Sequence, residues 1–357
     1  MSAHRPPLEA RDDLAAVEPY ASPQIPARFR LNTNESPYPP SAALMEEVAR
    51  RTARAALNRY PDHDAAGLLD ALARHTGRPQ DAIWAANGSN EIFLHLFLAF
   101  GGPERKVLVF TPTYSLHLLI PRIAGTGVIE VARADDLLID VDGAITVIER
   151  DKPEIVIVCS PNNPTGLSEP RAAVEEFVDV APGLVVVDEA YGEFAPETAS
   201  VADLLDTHDK LVVVKTLSKA WRLAGVRAGY MLGAPSLVKE LARVGLPYHL
   251  STFTQLAACA VLERKDQALE HIEAIKAERD RILVELQAMG LRSYPSDANF
   301  VLFAVDDAPA VWEALLARGV LVRSYAGVPG LEGCLRVTAG LPEETDAFLS
   351  AMREVLG

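Results

Sequence analysis

Four short apolar runs constrain this chain more than anything else in it. They are Val107–Phe110 (VLVF), Ile155–Val158 (IVIV), Leu184–Val187 (LVVV) and Leu211–Val214 (LVVV). None alternates with polar residues. A strand with one face in water shows that alternation, whereas a strand apolar at every position is buried on both faces, as in a parallel sheet with helices on each side. A helix-spaced stretch at 171–180 separates two of the runs, as a right-handed crossover requires. The chain therefore reads as α/β, with a mostly parallel, doubly wound sheet in a large domain over 45–250.

Beyond that domain, the amphipathic stretch 265–290, closed by Gly290, predicts one long helix. It leads into a smaller α/β domain within 251–357, where NFVLFAV and GCLRVTAG read as strands and 308–318 and 342–356 as helices. Residues 1–44 form a proline-rich arm that needs another surface to lie on and is assigned partly to the small domain.

With 49% apolar residues in 357, the chain can bury cores of that size. Thirty-four basic against 49 acidic residues leave a net charge of −15, which argues against nucleic acid or an anionic membrane as the main partner. A transcription regulator would need a DNA-binding extension and a basic patch, and neither is evident. Cys159, Cys259 and Cys334 are too few and too scattered for a disulfide framework or a zinc cluster, so no metal is expected. The amino-terminal stretch has no signal-peptide core, and no apolar run approaches the roughly 18 residues of a membrane span. A soluble cytoplasmic protein is expected.

In open α/β sheets, ligands bind beyond the carboxyl ends of the strands. IVIV is followed by CSPNNPTG, the first LVVV by DEAYGEF, and the second by KTLSKAWRLAGVRAGY. Lys219 could form an imine with an aldehyde if its pKa is depressed, although a lone Ser-Lys pair is ordinarily a solvated lysine. Arg227, eight residues on, could return to the same phosphate. Asp188 ends its apolar run either as a turn cap or as the partner of a buried cation, and Tyr191 and Asn163 could reach one ligand oxygen or serve turn chemistry alone. Gly88, Ser89 and Asn90 precede an apolar helix starting near Glu91, which offers a phosphate cup or a plain helix start. Tyr114, after VLVF, could stack on a ring.

Taken together, LNTNESP, NRYPD, NGSNE, FTPTYS, SPNNPTG, DEAYGEF, TLSKAWRLAGVRAGY, LPYHLS, ANFV and LRVTAGLPEE resemble the fold-type I pyridoxal-phosphate-dependent aminotransferases. They are more closely similar to the histidinol-phosphate branch. The resemblance covers nearly the whole chain and implies pyridoxal 5'-phosphate as cofactor. It implies that Lys219 carries the cofactor as a Schiff base and shuttles the proton, that Asp188 faces the pyridine nitrogen, and that Asn163 and Tyr191 bind the ring oxygen while Tyr114 stacks on the ring. Ser89, Asn90, Thr216, Ser218 and Arg227 line the phosphate pocket or its rim. Tyr60 serves the neighbouring subunit's cofactor, making a homodimer part of the site. Arg323 and Arg336 clamp the substrate anion, with Tyr20, Asn90 and Tyr248 nearby. The implied reaction exchanges an amino group between L-histidinol phosphate and 2-oxoglutarate, giving imidazole acetol phosphate and L-glutamate, a step of histidine biosynthesis. An aromatic amino-acid aminotransferase is the alternative, and an amino-acid phosphate decarboxylase a more remote one. One departure is Trp221-Arg222 after the lysine and alanine, where relatives carry small or aromatic-aliphatic residues; both are expected to face away from the cofactor on a helix.

Overall fold

A computed structural model describes residues 11–14, 17 and 25–357. The twelve strands are β1 (Phe29–Arg30), β2 (Ile83–Ala86), β3 (Lys106–Thr111), β4 (Gly127–Ala132), β5 (Ile155–Cys159), β6 (Leu184–Asp188), β7 (Leu211–Thr216), β8 (Gly229–Gly233), β9 (Phe300–Ala304), β10 (Val320–Leu321), β11 (Arg323–Ser324) and β12 (Cys334–Thr338). Seven of them form one sheet in the order β2-β8-β7-β6-β5-β3-β4. Only β8 runs antiparallel to its neighbours.

The four apolar runs lie in β3, β5, β6 and β7, and their successive residues divide between two cores. Leu108, Val156, Val185 and Val213 enter one core, while Val109, Ile157, Val186 and Val212 enter the other. This is why the runs do not alternate: each face of the sheet has its own helical cover. On one side lies the helix Ser89–Phe100, which buries Ile92, Phe93, Leu96 and Phe97. On the other lie the helices Val141–Asp151 and Arg171–Val180. The second of these has the bounds expected from its spacing.

The remaining strands form two small sheets, β11-β12-β9 (antiparallel) and β1-β10 (parallel). The arm finds the surface it needs here. Phe29 pairs with Val320, and the carbonyl of Leu31 accepts from the amide of Thr338 at 2.9 Å. Among the described residues, no helix is long and apolar enough to cross a membrane.

The predicted single helix over 265–290 is two helices, Lys265–Leu269 and Ile272–Ala288. The carbonyl of Gln267 accepts from the Arg222 guanidinium, and the His271 ring stacks on Tyr38 at 4.0 Å. These tertiary contacts compete with a continuous helical ladder and break it at Glu270–His271. Gly290 ends the second helix with φ +81°, the left-handed conformation expected of a terminating glycine.

Candidate active site

Four strands of the large sheet, β3, β5, β6 and β7, deliver polar segments at their carboxyl ends. Lys219 lies just past β7, in a turn closed by a hydrogen bond from the amide of Leu223 to the carbonyl of Leu217. Its Nζ donates to the carbonyl of Thr33 in the arm at 3.0 Å and lies 5.8 Å from the centre of the Tyr191 ring. Burial lowers the pKa of this amine to about 8. Arg336 and Arg227 add to the effect, while Glu35 and Asp188 oppose it. The amine is thus closer to its nucleophilic form at neutral pH than an exposed lysine would be.

Asp188, the last residue of β6, is buried. Its Oδ2 lies 2.9 Å from Nε2 of the fully buried His117, and its Oδ1 accepts from the amide of Ala190 at 3.0 Å. The other ring nitrogen of His117 lies 3.3 Å from the Thr113 hydroxyl, and Tyr114 meets the imidazole edge-on at 5.5 Å. His117 was not singled out from the sequence, although it follows Tyr114 by three residues, a spacing that returns to one side of a helical turn. The ligand atoms of His117, Cys159 and Asp188 lie within 4.8 Å of one another. Burial, reinforced by the charge of Asp188, pushes the Cys159 thiol far up, so this group is no ready thiolate ligand for a metal.

Tyr191 is buried, and burial raises its pKa, so it remains a phenol. Its hydroxyl accepts from Nδ2 of Asn34 at 2.9 Å, which leaves the phenolic proton to donate elsewhere. Asn34 is itself fixed by Thr338 and Asn299. The Oδ1 of Asn163 accepts from Arg336 and, at 3.5 Å, from Tyr325, while its Nδ2 has no protein partner among the described residues. Asn32, Thr33, Asn34 and Tyr325 contact the predicted site residues but were passed over in the sequence; the LNTNESP segment was the signal for the first three.

A second group surrounds the start of the helix Ser89–Phe100. Gly88 precedes it with φ +87° and no side chain caps the helix, so its first amides point outward unshielded. A Cβ on Gly88 would fall 2.7 Å from Nη2 of Arg227, and one on Gly229 would fall 2.7 Å from the Gly88 carbonyl carbon and the Ser89 nitrogen. Glycine at both positions lets the guanidinium and strand β8 close around the cup. Arg227 Nη1 donates to Ser218 Oγ at 3.3 Å, and Ser218 Oγ accepts from Thr216 Oγ1 at 3.0 Å. Ser89 and Asn90 are half-buried, and neither side chain bonds to protein among the described residues.

The third group comes from the small sheet. Arg323 and Arg336 are direct cross-strand partners on β11 and β12, so their side chains share one face. Arg336 is buried. It donates to Asn163, to Tyr325 Oη at 2.9 Å and to the carbonyl of Asn32 at 2.7 Å, and its Nε is buried without a partner. No carboxylate pairs with Arg336 among the described residues, so a buried cation stands ready for an external anion.

Tyr60 is 80% exposed and stacks on Tyr248 at 4.6 Å, with His63 edge-on to Tyr248. The structure joins these tyrosines to each other at the surface, and their ring contacts include none of the strand-end residues. Tyr20 lies outside the described residues. Trp221 and Arg222 do face away from Lys219, but on a turn, not on the helix expected. Arg222 has φ +62°, which no helix permits, because it reaches the carbonyls of Pro39 and Gln267, and Trp221 is buried against His75 and Glu193.

The depressed pKa makes a direct prediction. Burial and the two guanidiniums disfavour the charged amine, so in cofactor-free protein Lys219 should become reactive as pH rises through about 8. The rate at which an amine-directed reagent modifies Lys219, followed by peptide mass, measures this. A midpoint near the ordinary lysine value of about 10.4 would contradict the geometry.

Comparison with known proteins agrees with this arrangement. The family pattern described as "Aminotransferase class I and II" matches residues 27–352. Histidinol-phosphate aminotransferase of Mycobacterium avium (strain 104) is 47% identical over 357 residues, spanning 98% of this chain and 89% of its own. The enzyme of the same name from Frankia casuarinae is also 47% identical, spanning 98% and 90%. Among solved structures, histidinol-phosphate aminotransferase from Sinorhizobium meliloti in complex with pyridoxal-5'-phosphate superposes with a TM-score of 0.85 at 27% identity, covering 92% of this chain and 91% of that one. The chain belongs to the class I and II aminotransferases and, within them, to the histidinol-phosphate aminotransferase family.

Proposed function

We propose that the protein is a pyridoxal-phosphate-dependent aminotransferase that moves an amino group between L-histidinol phosphate and 2-oxoglutarate, yielding imidazole acetol phosphate and L-glutamate. The residues present fit the cofactor. The Gly88 cup, the helix amides behind it and the Thr216–Ser218–Arg227 chain suit a phosphate dianion. A buried carboxylate backed by His117 suits a protonated pyridine nitrogen. Tyr191 Oη and Asn163 Nδ2 suit the ring oxygen, and Tyr114 the ring face.

When bound, the cofactor supplies an aldehyde for amine capture and an electron-withdrawing ring. The chain's own residues do the rest. Asp188 holds the pyridine nitrogen protonated, with His117 fixing its orientation. Lys219, whose amine would hold the cofactor, would through Nζ be the group that accepts and returns the substrate's Cα proton. The arm carbonyl of Thr33 keeps that Nζ in place. Arg336 and Arg323 hold the substrate's phosphate in one half-reaction and the carboxylate of glutamate in the other.

The observation that carries the substrate reading is the Arg323–Arg336 pair, one of whose guanidiniums is buried with no carboxylate partner among the described residues. A phosphate dianion needs more compensating charge than a carboxylate, and two guanidiniums on one face supply it. Removing one buried charged partner costs about 2–5 kcal/mol, so Arg336→Ala should lower kcat/KM for histidinol phosphate by roughly 30- to several-thousand-fold and harm the glutamate half-reaction too. Arg323→Ala should harm the phosphate substrate more than glutamate. If both variants stay within about threefold of wild type, a loss under roughly 1 kcal/mol, the phosphate clamp is wrong and the aromatic aminotransferase reading moves ahead.

We also infer a homodimer in a reducing cytoplasm. Three unpaired cysteines suit that compartment. Leu57, Tyr60, Leu246, Tyr248 and Phe253 are large, exposed and at least partly apolar, as a surface covered by a second copy would be. Tyr60 is then the residue that reaches the partner's cofactor phosphate. Mixing inactive Tyr60→Ala and Lys219→Ala variants should restore activity, because one site of each heterodimer keeps both residues. A monomer with full activity would refute this.

A further inference from the structure

Behind the site, away from the ligand-facing groups, lies a buried charged cluster. Glu189 and Glu193 flank Tyr191 in sequence. Lys215 lies four residues before Lys219, and Trp221 two after it. Lys215 Nζ contacts Glu189 Oε2 at 2.9 Å and Glu193 Oε1 at 3.9 Å. The fully buried Trp221 donates through Nε1 to the same Glu193 Oε1 at 3.3 Å. Glu189 is further satisfied by the Ser200 hydroxyl and, at 2.8 Å, by the amide of Val201. Glu193 is not, because its Oε2 is buried without a partner, as is the hydroxyl of Tyr230. His75 packs edge-on against Trp221 at 4.9 Å.

We infer that Lys215, Glu193 and Trp221 are positioning residues for the transfer reaction: they lock the turn carrying Lys219 to the strand end carrying Asp188 and Tyr191. The link is made twice, once before Lys219 and once after it. Both contacts converge on one carboxylate oxygen, so the lysine is braced from both sides by Glu193. Hydrophobic packing alone would let the turn slide along the end of β7, whereas a directional N–H···O bond and an ion pair fix its register. Little solvent reaches this cluster. Two carboxylates also face a single ammonium, so the brace carries excess negative charge a short chain distance from Lys219. Although burial works against the charge on Lys215, Glu193 and Glu189 hold its pKa above the ordinary lysine range, which keeps the ion pair intact through neutral pH. The tryptophan is the residue at which this chain departs from the expected pattern, and its indole N–H is what phenylalanine would lack.

The inference rests on Lys219 being the cofactor-bearing amine, and the test separates the two claims. Holoenzyme is titrated spectroscopically through the pH-dependent absorbance of the lysine–cofactor linkage, in wild type, Trp221→Phe, Glu193→Gln and the double variant. Each single variant should shift the midpoint by about half a pH unit or more, downward for Glu193→Gln because a negative charge is removed. Each should also lower kcat about tenfold with KM within about twofold, as misplacement of a reacting group does. The double variant should fall short of the sum, because both substitutions break one bond. Unchanged midpoints, or strictly additive effects, would overturn the brace. Should Trp221→Phe fail to fold, the near-isosteric Glu193→Gln titration decides alone. Borohydride reduction that places the label on another lysine would instead refute the Lys219 assignment.

Discussion

The constraint on which the site depends is the burial of one lysine amine with no carboxylate in direct contact among the described residues. Burial acts most strongly on Lys219; Arg336 and Arg227 add to it while Glu35 and Asp188 oppose it, and its hydrogen-bond partner is a neutral carbonyl, that of Thr33. Left charged, it would lose its solvation; neutral, it is the nucleophile an aldehyde cofactor needs. In the proposed function, the guanidiniums that assist this depression also hold anions, Arg227 the cofactor phosphate and Arg336 the substrate. On that reading the guanidiniums contribute both to amine activation, which burial dominates, and to anion binding.

That arrangement needs pieces from all over the chain. Strands β3, β5, β6 and β7 end at one edge, bringing Tyr114, Asn163, Asp188 and Lys219 together. The small sheet brings Arg336, whose guanidinium bonds Asn163 on the large sheet's loop and the carbonyl of Asn32 in the arm. The arm lies between them as a strand partner of β10, so Asn34 reaches Tyr191 from 157 residues away. Under the proposed function, substrate held at Arg336 would meet a group already tied to both halves of the site.

What was legible in the sequence was what is local. Continuous apolar runs identified the buried strands, and the segment after each run identified the strand-end chemistry, because a few consecutive residues build each turn. What was illegible depends on tertiary partners. His117 behind Asp188 and Asn34 on Tyr191 are joined by contacts spanning 71 and 157 residues. The arginines at 323 and 336 were visible, but their direct pairing depends on register. The stretch 265–290 has helical periodicity throughout, and the break in it falls where Arg222 and Tyr38, distant in sequence, make their contacts. Tyr60 and Tyr248 show their stack in a single subunit, whereas the role proposed for Tyr60 lies across a subunit boundary that periodicity does not encode.

The account's central claim is that Lys219 forms the covalent bond to the cofactor. Borohydride reduction of native holoenzyme, followed by proteolysis and peptide mass mapping, tests it directly. The account predicts a pyridoxyl-phosphate mass on the peptide containing Lys219 and on no other. A label on Lys215 or any other lysine, or none at all, would contradict it.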